Sequence, residues 1–231
     1  DPDLILTPSP EVYNSYTSLQ IKCALIPMGI DPRRFRPVTH AEKKQLREKY
    51  SIPTDKYVLL HVGHLQPLRN LQWIARASEQ MDCLFIVVGS ESMGVSAEIY
   101  ERLKKSGVYI IYKYIEKIEE IYQLADCYLF PVTDDRAAIG TPLSVLEAMA
   151  CNLPVVTTSF GSLPRLFTPG NGLFYADREE EFLEKILEAR NLNTIDINNR
   201  EKVDLFDWDS IVNEILIKAR TICDPAKKHK L

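Results

Sequence analysis

A glycine and an arginine follow the first buried strand of the sequence, in the segment Val62–Asn70. Gly63 ends that strand, and because glycine has no Cβ atom, a ligand can approach its backbone closely. Arg69 falls near the start of the next predicted helix, where free N–H groups and the helix dipole favour an anion. A guanidinium at that place can bind phosphate at two points. The segment predicts a phosphate site, with a turn glycine and a surface arginine as the alternative.

A carboxylate follows in the segment Ile139–Pro154, which predicts a short buried helix over residues 143–151. Pro142 suits the first turn of this helix, and Asn152 suits the left-handed position after its end. Glu147 lies one turn into the helix among apolar residues, where a carboxylate needs a partner. A vicinal diol such as a ribose would be such a partner. On the residues alone, an ion pair with a lysine or arginine elsewhere is the simpler interpretation.

Three smaller sets of residues could also do chemistry. The carboxylates of Asp134–Arg136 could hold a metal ion, but turn chemistry fits a loop after a strand better. His64 is a candidate general acid or base, or a hydrogen-bonded histidine at a strand end. Cys151 has no evident base beside it and is interpreted as a packing residue. The sequence has no GxGxxG fingerprint, Walker A loop or Ser-His-Asp spacing.

Short β-branched strands alternate with amphipathic segments along the centre of the chain. Several strands are apolar on both faces, as strands covered by helices on two sides are. This alternation predicts right-handed βαβ units and an α/β fold with a doubly wound, parallel, Rossmann-like sheet. Ligands of such sheets bind outside the carboxyl ends of the strands. The predicted strands are Tyr57–Val62, Leu84–Val88, Val108–Tyr112, Cys127–Val132, Pro154–Thr158 and Gly172–Tyr175, and the predicted helices cover residues 70–80, 95–106, 117–125, 143–151 and 179–191.

Composition excludes several classes of protein. Of the 231 residues, 45% are hydrophobic and 26% charged, which is typical of a globular protein. The 28 basic and 32 acidic side chains give a net charge of -4, which argues against nucleic-acid binding. No apolar run approaches the length of a membrane span. The five cysteines are widely spaced without a CxxC pair, so we expect neither a disulfide framework nor a zinc site, and a reducing compartment such as the cytoplasm.

Motifs in one order over about residues 20–175 resemble the carboxyl-terminal, nucleotide-sugar-binding half of retaining glycosyltransferases of family 4, which have the GT-B type of fold. The most specific stretch is Leu146–Thr158, followed by Gly161. The other matching segments are Ala24–Asp31 with Phe35 and Pro37, Val62–Leu65, Val87–Gly89, Ile121–Cys127, Phe130–Pro131 and Gly170–Leu173.

The resemblance implies one lobe of a two-lobed enzyme. Residues 1–20 are then expected to be a linker or the end of a missing amino-terminal acceptor domain. Residues 21–206 would form the nucleotide-sugar-binding Rossmann-like domain. Residues 207–231 would form a helix that crosses back to the missing domain, with the basic tail Lys227–Lys230.

By position, the resemblance assigns roles to individual residues. Glu147 matches the second glutamate of the family's E-x7-E motif, which binds the donor ribose, and this reverses the preference for an ion pair. Arg69 stands where the family has a phosphate-binding lysine, and His64 where it has an arginine. These two are the catalytic candidates, because cations stabilise charge that develops on a leaving diphosphate. Gly63 gives the diphosphate room.

Further donor-binding candidates come from two loops. The backbone N–H groups of the segment Gly140–Leu143 are expected to face the sugar and diphosphate, so the candidates there are Gly140, Thr141 and Leu143. Tyr114 and Ile115 match the segment that packs on the nucleotide base. The resemblance implies neither a metal ion nor a cofactor beyond the nucleotide sugar itself.

The sequence departs from the family pattern in the same loop. Ile139 replaces the first glutamate of E-x7-E, which lies near the donor sugar. Thr141 and Pro142 replace the usual Phe and Gly, and proline cannot donate an N–H. Asp135, in a loop longer than usual, is a candidate replacement carboxylate.

We therefore expect transfer of a sugar, with retention, from a nucleoside diphosphate donor to an acceptor hydroxyl. The acceptor would be a glycan or a lipid-linked saccharide bound by the missing domain, and this chain alone would transfer little or nothing. The expected location is the cytoplasm or, peripherally, the inner face of the membrane. The alternatives are a catalytically silent nucleotide-sugar-binding module, a nucleotide-sugar 2-epimerase and an α/β domain without a ligand.

Overall fold

The computed structural model describes residues 2–90 and 94–223 of the chain. Its centre is a six-stranded, wholly parallel sheet in the order β5-β4-β3-β6-β7-β8, and a separate two-stranded sheet pairs β1 with β2. The predicted doubly wound α/β fold is confirmed. The strands are β1 Ile5–Thr7, β2 Cys23–Leu25, β3 Val58–Val62, β4 Leu84–Gly89, β5 Tyr109–Tyr112, β6 Cys127–Phe130, β7 Val155–Thr157 and β8 Leu173–Tyr175.

Helices cover both faces of the large sheet, and most predicted elements are present with ends shifted by a few residues. The helices are α1 Pro10–Ser18, α2 His40–Lys49, α3 Leu71–Gln80, α4 Ala97–Lys105, α5 Ile118–Leu124, α6 Leu143–Ala150, α7 Leu163–Leu166, α8 Glu179–Arg190, α9 Asn199–Lys202 and α10 Trp208–Cys223, with 3-10 turns at Pro67–Arg69, Thr194–Asp196 and Asp204–Phe206.

Two apolar clusters, one on each face of the sheet, form the core. One joins α5 and α6 to the sheet through residues such as Leu60 and Tyr128, and the other joins α3 and α8 through residues such as Leu59 and Phe182. Successive residues of a strand point to opposite faces, so Leu59 and Leu60 enter different clusters. Burial on both faces explains why the central strands are almost continuously apolar.

The predicted ends of α6 agree with the structure in physical detail. Pro142 is its N-cap residue, with the backbone extended, and the carbonyl of Pro142 accepts the N–H groups of Val145 and Leu146. Asn152 follows the helix in the left-handed conformation, with φ of 55°. Its amide side chain donates to the Ile197 carbonyl at 3.1 Å, which ties this turn to a later loop.

Asp126 joins the centre of the sheet at the amino-terminal ends of β3 and β6. Its carboxylate accepts from the Val58 N–H at 2.8 Å, from Arg47 at 2.5 Å and from Lys43 at 3.0 Å. Its own N–H donates to the Val58 carbonyl. Arg47 is buried and also donates to the Leu124 carbonyl, so the network fixes α2 against the sheet.

The amino-terminal segment forms β1, α1 and β2. The sequence predicts only the first of these, as a strand-like run over Asp3–Thr7. The helix is polar and buries none of its residues, so its sequence has no apolar periodicity to reveal it. It begins at Ser9, whose hydroxyl accepts from the Val12 N–H. The strand Cys23–Leu25 pairs with Ile5–Thr7 rather than with the large sheet. The domain boundary at residue 20 stays a prediction.

The last described helix, α10, packs through its start. The Trp208 ring lies against Gly29, where a Cβ atom would come within 2.6 Å of the ring. Trp208, Val212, Leu216 and Ile217 leave large apolar surfaces exposed. No described helix is both long and apolar enough to span a bilayer. The basic tail Lys227–Lys230 lies outside the described residues.

Candidate functional site

A pocket of about 990 Å³ lies at the carboxyl ends of β3 and β6, the neighbouring strands at which the strand order of the sheet reverses. A doubly wound sheet binds its ligand at this kind of position. The pocket brings together four of the predicted site residues, namely Gly63, His64, Arg69 and Leu143. Its other lining residues are Val62, Gln66, Pro67, Leu68, Phe130, Arg136, Ala137, Ala138, Ile139, Pro142 and Ser144.

Arg69 is 8% exposed, so the alternative interpretation, that it is a surface arginine, is wrong. It ends the 3-10 turn Pro67–Arg69, and a left-handed Asn70 with φ of 52° separates it from α3. Its guanidinium has no hydrogen bond or ion pair with any other described residue. Burial lowers the pKa of Arg69 below its usual value, which marks a cation without a compensating anion.

Gly63 has a more specific role than leaving room for a ligand. A Cβ atom at Gly63 would lie 2.5 Å from a terminal nitrogen of Arg69. The missing side chain is therefore what allows the guanidinium to lie over the strand end. Any larger residue would push Arg69 out of the position that it has in the pocket.

His64 lines the same pocket as Arg69. Its Nδ1 atom is buried and has no partner among the described residues. Burial, and then the positive charge of Arg69, lower the pKa of His64 below its usual value. His64 is therefore mostly neutral at pH 7, and Arg69 supplies the permanent positive charge.

The amino terminus of α6 also lines the pocket, through Leu143 and Ser144. The first N–H groups of a helix have no intrahelical acceptor, and the helix dipole adds positive potential there. Arg136 also lines the pocket, paired with Asp134 at 2.6 Å. Among the residues that the structure describes, none of those in the lining is acidic. Cations and a helix amino terminus without carboxylates favour an anionic ligand such as a diphosphate.

Glu147 lies one turn further along α6, outside the lining of the pocket. The Tyr122 hydroxyl donates to its carboxylate at 2.7 Å, and no lysine or arginine of residues 2–90 and 94–223 forms an ion pair with it. The simpler interpretation, an ion pair, is therefore wrong. Burial raises the pKa of Glu147 to about 7, because one neutral donor compensates only part of the lost hydration.

Gly140 and Thr141 face the amino-terminal segment rather than the pocket. Thr141 is fully buried, and its hydroxyl donates to the Pro8 carbonyl at 3.4 Å. A Cβ atom at Gly140 would lie 3.1 Å from the Ser9 Cα atom. The Gly140 carbonyl accepts the Ser162 N–H at 2.7 Å. Pro8, Ser9 and Ser162 therefore occupy one side of this loop. That the backbone N–H groups of the loop bind the donor remains a prediction.

Tyr114 and Ile115 line a second cavity, of about 400 Å³, near the edge strand β5. Tyr114 is 80% exposed, whereas Ile115 is half-buried and packs against the core. The structure does not bring these two residues into the pocket that holds Arg69. Their contact with a nucleotide base remains a prediction.

The structure also bears on the other hypotheses drawn from the sequence. Asp134 accepts from the Arg136 N–H at 2.9 Å, so the loop uses this carboxylate in a turn, as favoured. Within the described ranges, no cluster of three metal-ligating side chains occurs. Cys151 is buried at the end of α6 and packs in the core, as expected. Ile139 is 47% exposed and lines the pocket, and no described residue of the lining, Asp135 included, supplies a carboxylate in its place.

Sequence reasoning missed two polar residues of this region. Tyr122 supplies the hydroxyl that holds Glu147, although an apolar-periodic helix gives no sign of it. His61 lies in β3 below Gly63, and a polar residue inside the apolar run Val58–Val62 was a usable signal.

Comparison with known proteins gives a family for the chain. The model of the family "Glycosyl transferases group 1" matches residues 56–191, which is more than half of the chain. A D-inositol 3-phosphate glycosyltransferase of Catenulispora acidiphila is 29% identical over 62% of this chain and 36% of its own length. The alpha-galactosylglucosyldiacylglycerol synthase of Streptococcus pneumoniae is 26% identical over 72% of this chain and 45% of its own. The chain spans less than half the length of either relative.

Solved structures share the fold. HepE of Anabaena in complex with UDP-glucose superposes with a TM-score of 0.78 at 18% identity, over 95% of this chain and 64% of that one. A glycosyltransferase of Rickettsia africae superposes with a TM-score of 0.82 at 15% identity, over 96% and 64%. The six-stranded sheet is that of a GT-B glycosyltransferase lobe. The chain thus belongs to the glycosyl transferases of group 1.

Proposed function

We propose that this chain binds the nucleoside diphosphate sugar donor of a retaining glycosyltransferase. The observation that carries the proposal is Arg69, a buried guanidinium at a pocket where the described residues supply neither a partner for it nor an acidic side chain in the lining. A buried cation is costly unless it is paired, so Arg69 indicates an anion that residues 2–90 and 94–223 do not supply. The diphosphate of a nucleotide sugar is such an anion.

In this proposal the pocket acts on the leaving group. When the bond between the anomeric carbon and the diphosphate breaks, negative charge develops on the diphosphate oxygen. Arg69 and the amino terminus of α6 both line the pocket and would stabilise that charge without reorganisation. His64 adds a second positive charge only when it is protonated.

Glu147 completes the proposed donor site. Its carboxylate accepts one hydrogen bond, from Tyr122, which leaves acceptor capacity for the two ribose hydroxyls of a nucleotide. Ribose binding would explain why an acidic residue remains in a partly buried position that raises its pKa. The acceptor, a glycan or a lipid-linked saccharide, would be bound by another part of the whole protein. We also propose a cytoplasmic or peripheral membrane location.

The test is calorimetric titration of the chain with UDP, GDP, ADP and their common sugar conjugates. We expect selective binding to one base, and at least a tenfold loss of affinity in Arg69→Ala and in Glu147→Ala. Arg33→Ala is the matched control, because the Arg33 side chain is 89% exposed and lies outside the pocket. Binding that is unchanged in both site variants would contradict the proposal, as would the absence of binding to every nucleotide.

The pocket also favours a second candidate, a module that binds a nucleotide sugar without transferring it. Ile139 and Pro142 line the pocket where the family pattern has a glutamate and a glycine. Retained donor binding without transfer or hydrolysis, over a panel of acceptors and with the whole protein, would support this candidate. Transfer with an unchanged anomeric configuration, observed by proton NMR of the product, would support the enzyme. An epimerase would instead release an altered nucleotide sugar.

A further inference from the structure

His61 is an enclosed polar residue that the proposed donor site does not use. It lies in β3, and its side chain is 1% exposed. Its Nδ1 atom is 2.9 Å from the Leu129 carbonyl oxygen on β6. A carbonyl oxygen can only accept, so Nδ1 carries the proton and donates. The other ring nitrogen, Nε2, is then an acceptor, and it is buried without a partner among the described residues.

Nε2 of His61 and the guanidinium of Arg69 converge on one point. A Cβ atom at Gly63 would lie 2.9 Å from Nε2 of His61 and 2.5 Å from a terminal nitrogen of Arg69. Both atoms are therefore less than 3 Å from the same position above the end of β3. One is an acceptor without a donor, and the other belongs to a group with five N–H donors and no acceptor.

The surroundings of His61 keep its imidazole neutral. The rings of Tyr128 and Phe130 lie with their centroids 6.4 Å from that of His61 on one side, and Arg69 is the charged group that faces it. Burial, and then the charge of Arg69, lower the pKa of His61 to about 3. A neutral acceptor can approach a guanidinium without repulsion, whereas an imidazolium could not.

We propose that His61 is a positioning residue for Arg69, and that its Nε2 atom accepts a guanidinium N–H when a diphosphate occupies the pocket. This inference rests on the proposed function. The bond to His61 would use one of the five guanidinium donors and fix the plane of the group. The N–H groups on its other edges would then face the diphosphate in a two-point geometry.

The test measures the diphosphate contribution separately from the stability of the fold. The ratio of the dissociation constants for the nucleoside monophosphate and diphosphate of the base that the chain selects, UMP and UDP if this is uracil, is measured calorimetrically with the 231-residue chain. We expect the ratio to fall about tenfold in His61→Phe, since a hydrogen bond to a charged group is lost. His61→Gln places an amide near the position of Nε2 and should restore most of the ratio.

Leu59→Ala is the control variant, because Leu59 is buried in the same strand and is not among the residues that line the pocket. It should lower the melting temperature and leave the ratio unchanged. A ratio that survives His61→Phe but collapses in Arg69→Ala would overturn the role of His61 alone. If the parent chain binds neither UMP nor UDP, nor any other nucleotide, the proposed function fails together with this inference.

Nitrogen NMR of the parent chain provides a test that needs no variant at His61. On addition of UDP, the resonance of the His61 Nε2 atom should shift in the direction of a newly hydrogen-bonded acceptor. In Arg69→Ala the resonance should not move at the same UDP concentration. A resonance that is unchanged in the parent chain at saturation would refute the inference, even if His61→Phe did not fold.

Discussion

The charge state of Glu147 predicts a variant that is more stable than the parent chain. The carboxyl group has a pKa of about 7 in the folded chain, against 4.5 ordinarily, because burial disfavours the charged form. Between these values the folded state binds more protons than the unfolded state. The free energy of unfolding therefore falls as the pH rises through this window, and it levels off above pH 7.

The magnitude follows from the two pKa values. A difference from 4.5 to about 7 corresponds to about 3 kcal/mol at high pH. Because Glu147 is half-buried, water screens part of this cost, and we expect about 2 kcal/mol. Glu147→Gln keeps the size of the side chain and an acceptor for the Tyr122 hydroxyl, but it removes the charge. The variant should therefore exceed the parent in stability by about 2 kcal/mol at pH 8, and by much less at pH 5.

Urea unfolding of both chains at pH 5, 6, 7 and 8 measures this difference. The matched control is Glu120→Gln, because Glu120 also accepts from a tyrosine hydroxyl, that of Tyr50 at 2.7 Å. Burial opposes the shift, but hydrogen bonds from Lys49 and Tyr50 lower the pKa of Glu120. Its contribution is present above the unfolded pKa and is lost in acid, so this variant should lose stability at pH 8.

A stability difference between Glu147→Gln and the parent that stays constant with pH would refute the reasoning, as would a less stable variant at pH 8. The same variant is expected to lose donor affinity, because an amide accepts fewer hydrogen bonds than a carboxylate. Greater stability together with weaker binding would identify Glu147 as a residue retained for its ligand at the expense of the fold.

Three further predictions concern the pocket and the centre of the sheet. Gly63→Ala should weaken UDP binding at least tenfold in calorimetry while the far-ultraviolet dichroism is unchanged, since the new methyl group would displace the Arg69 guanidinium from 2.5 Å away; unchanged affinity would contradict this geometry. Asp126→Asn should lower the unfolding free energy by about 3 kcal/mol in urea titration, because Arg47 would be left buried without its anion; a loss below 1 kcal/mol would show that the network contributes little. His64→Arg should tighten UDP binding several-fold at pH 8, where His64 is neutral, because its pKa lies below the usual value; equal affinities would place this side chain away from the diphosphate.

The sequence was most informative where a single physical rule determines the structure. Burial on both sides made the central strands continuously apolar, so β3, β4 and β6 were predicted within two residues of their ends. The left-handed turn at Asn152 was predictable because asparagine tolerates this conformation better than most residues. The amino-terminal helix Pro10–Ser18 was missed because it buries no side chain and therefore has no apolar period.

The site was only partly predictable for a different reason. The sequence pointed to Gly63 and Arg69, but it could not show that the guanidinium lies over the glycine, because that contact depends on the 3-10 turn between them. The partner of Glu147 is Tyr122, 25 residues earlier in the chain, and a long-range pair leaves no trace in local spacing. The orientation of Thr141 depends in the same way on Pro8, 133 residues away.

The strand order has a consequence for the local stability of the sheet. Strands β3 to β5 and strands β6 to β8 each form a contiguous block of sequence, and the blocks meet along the β3–β6 pair. Asp126 forms hydrogen bonds at the amino-terminal end of the β3–β6 pair, while the pocket lies at its carboxyl-terminal end. A ligand there would contact both blocks. Amide hydrogen exchange along β3 and β6 should therefore slow on UDP binding more than exchange in the edge strand β5.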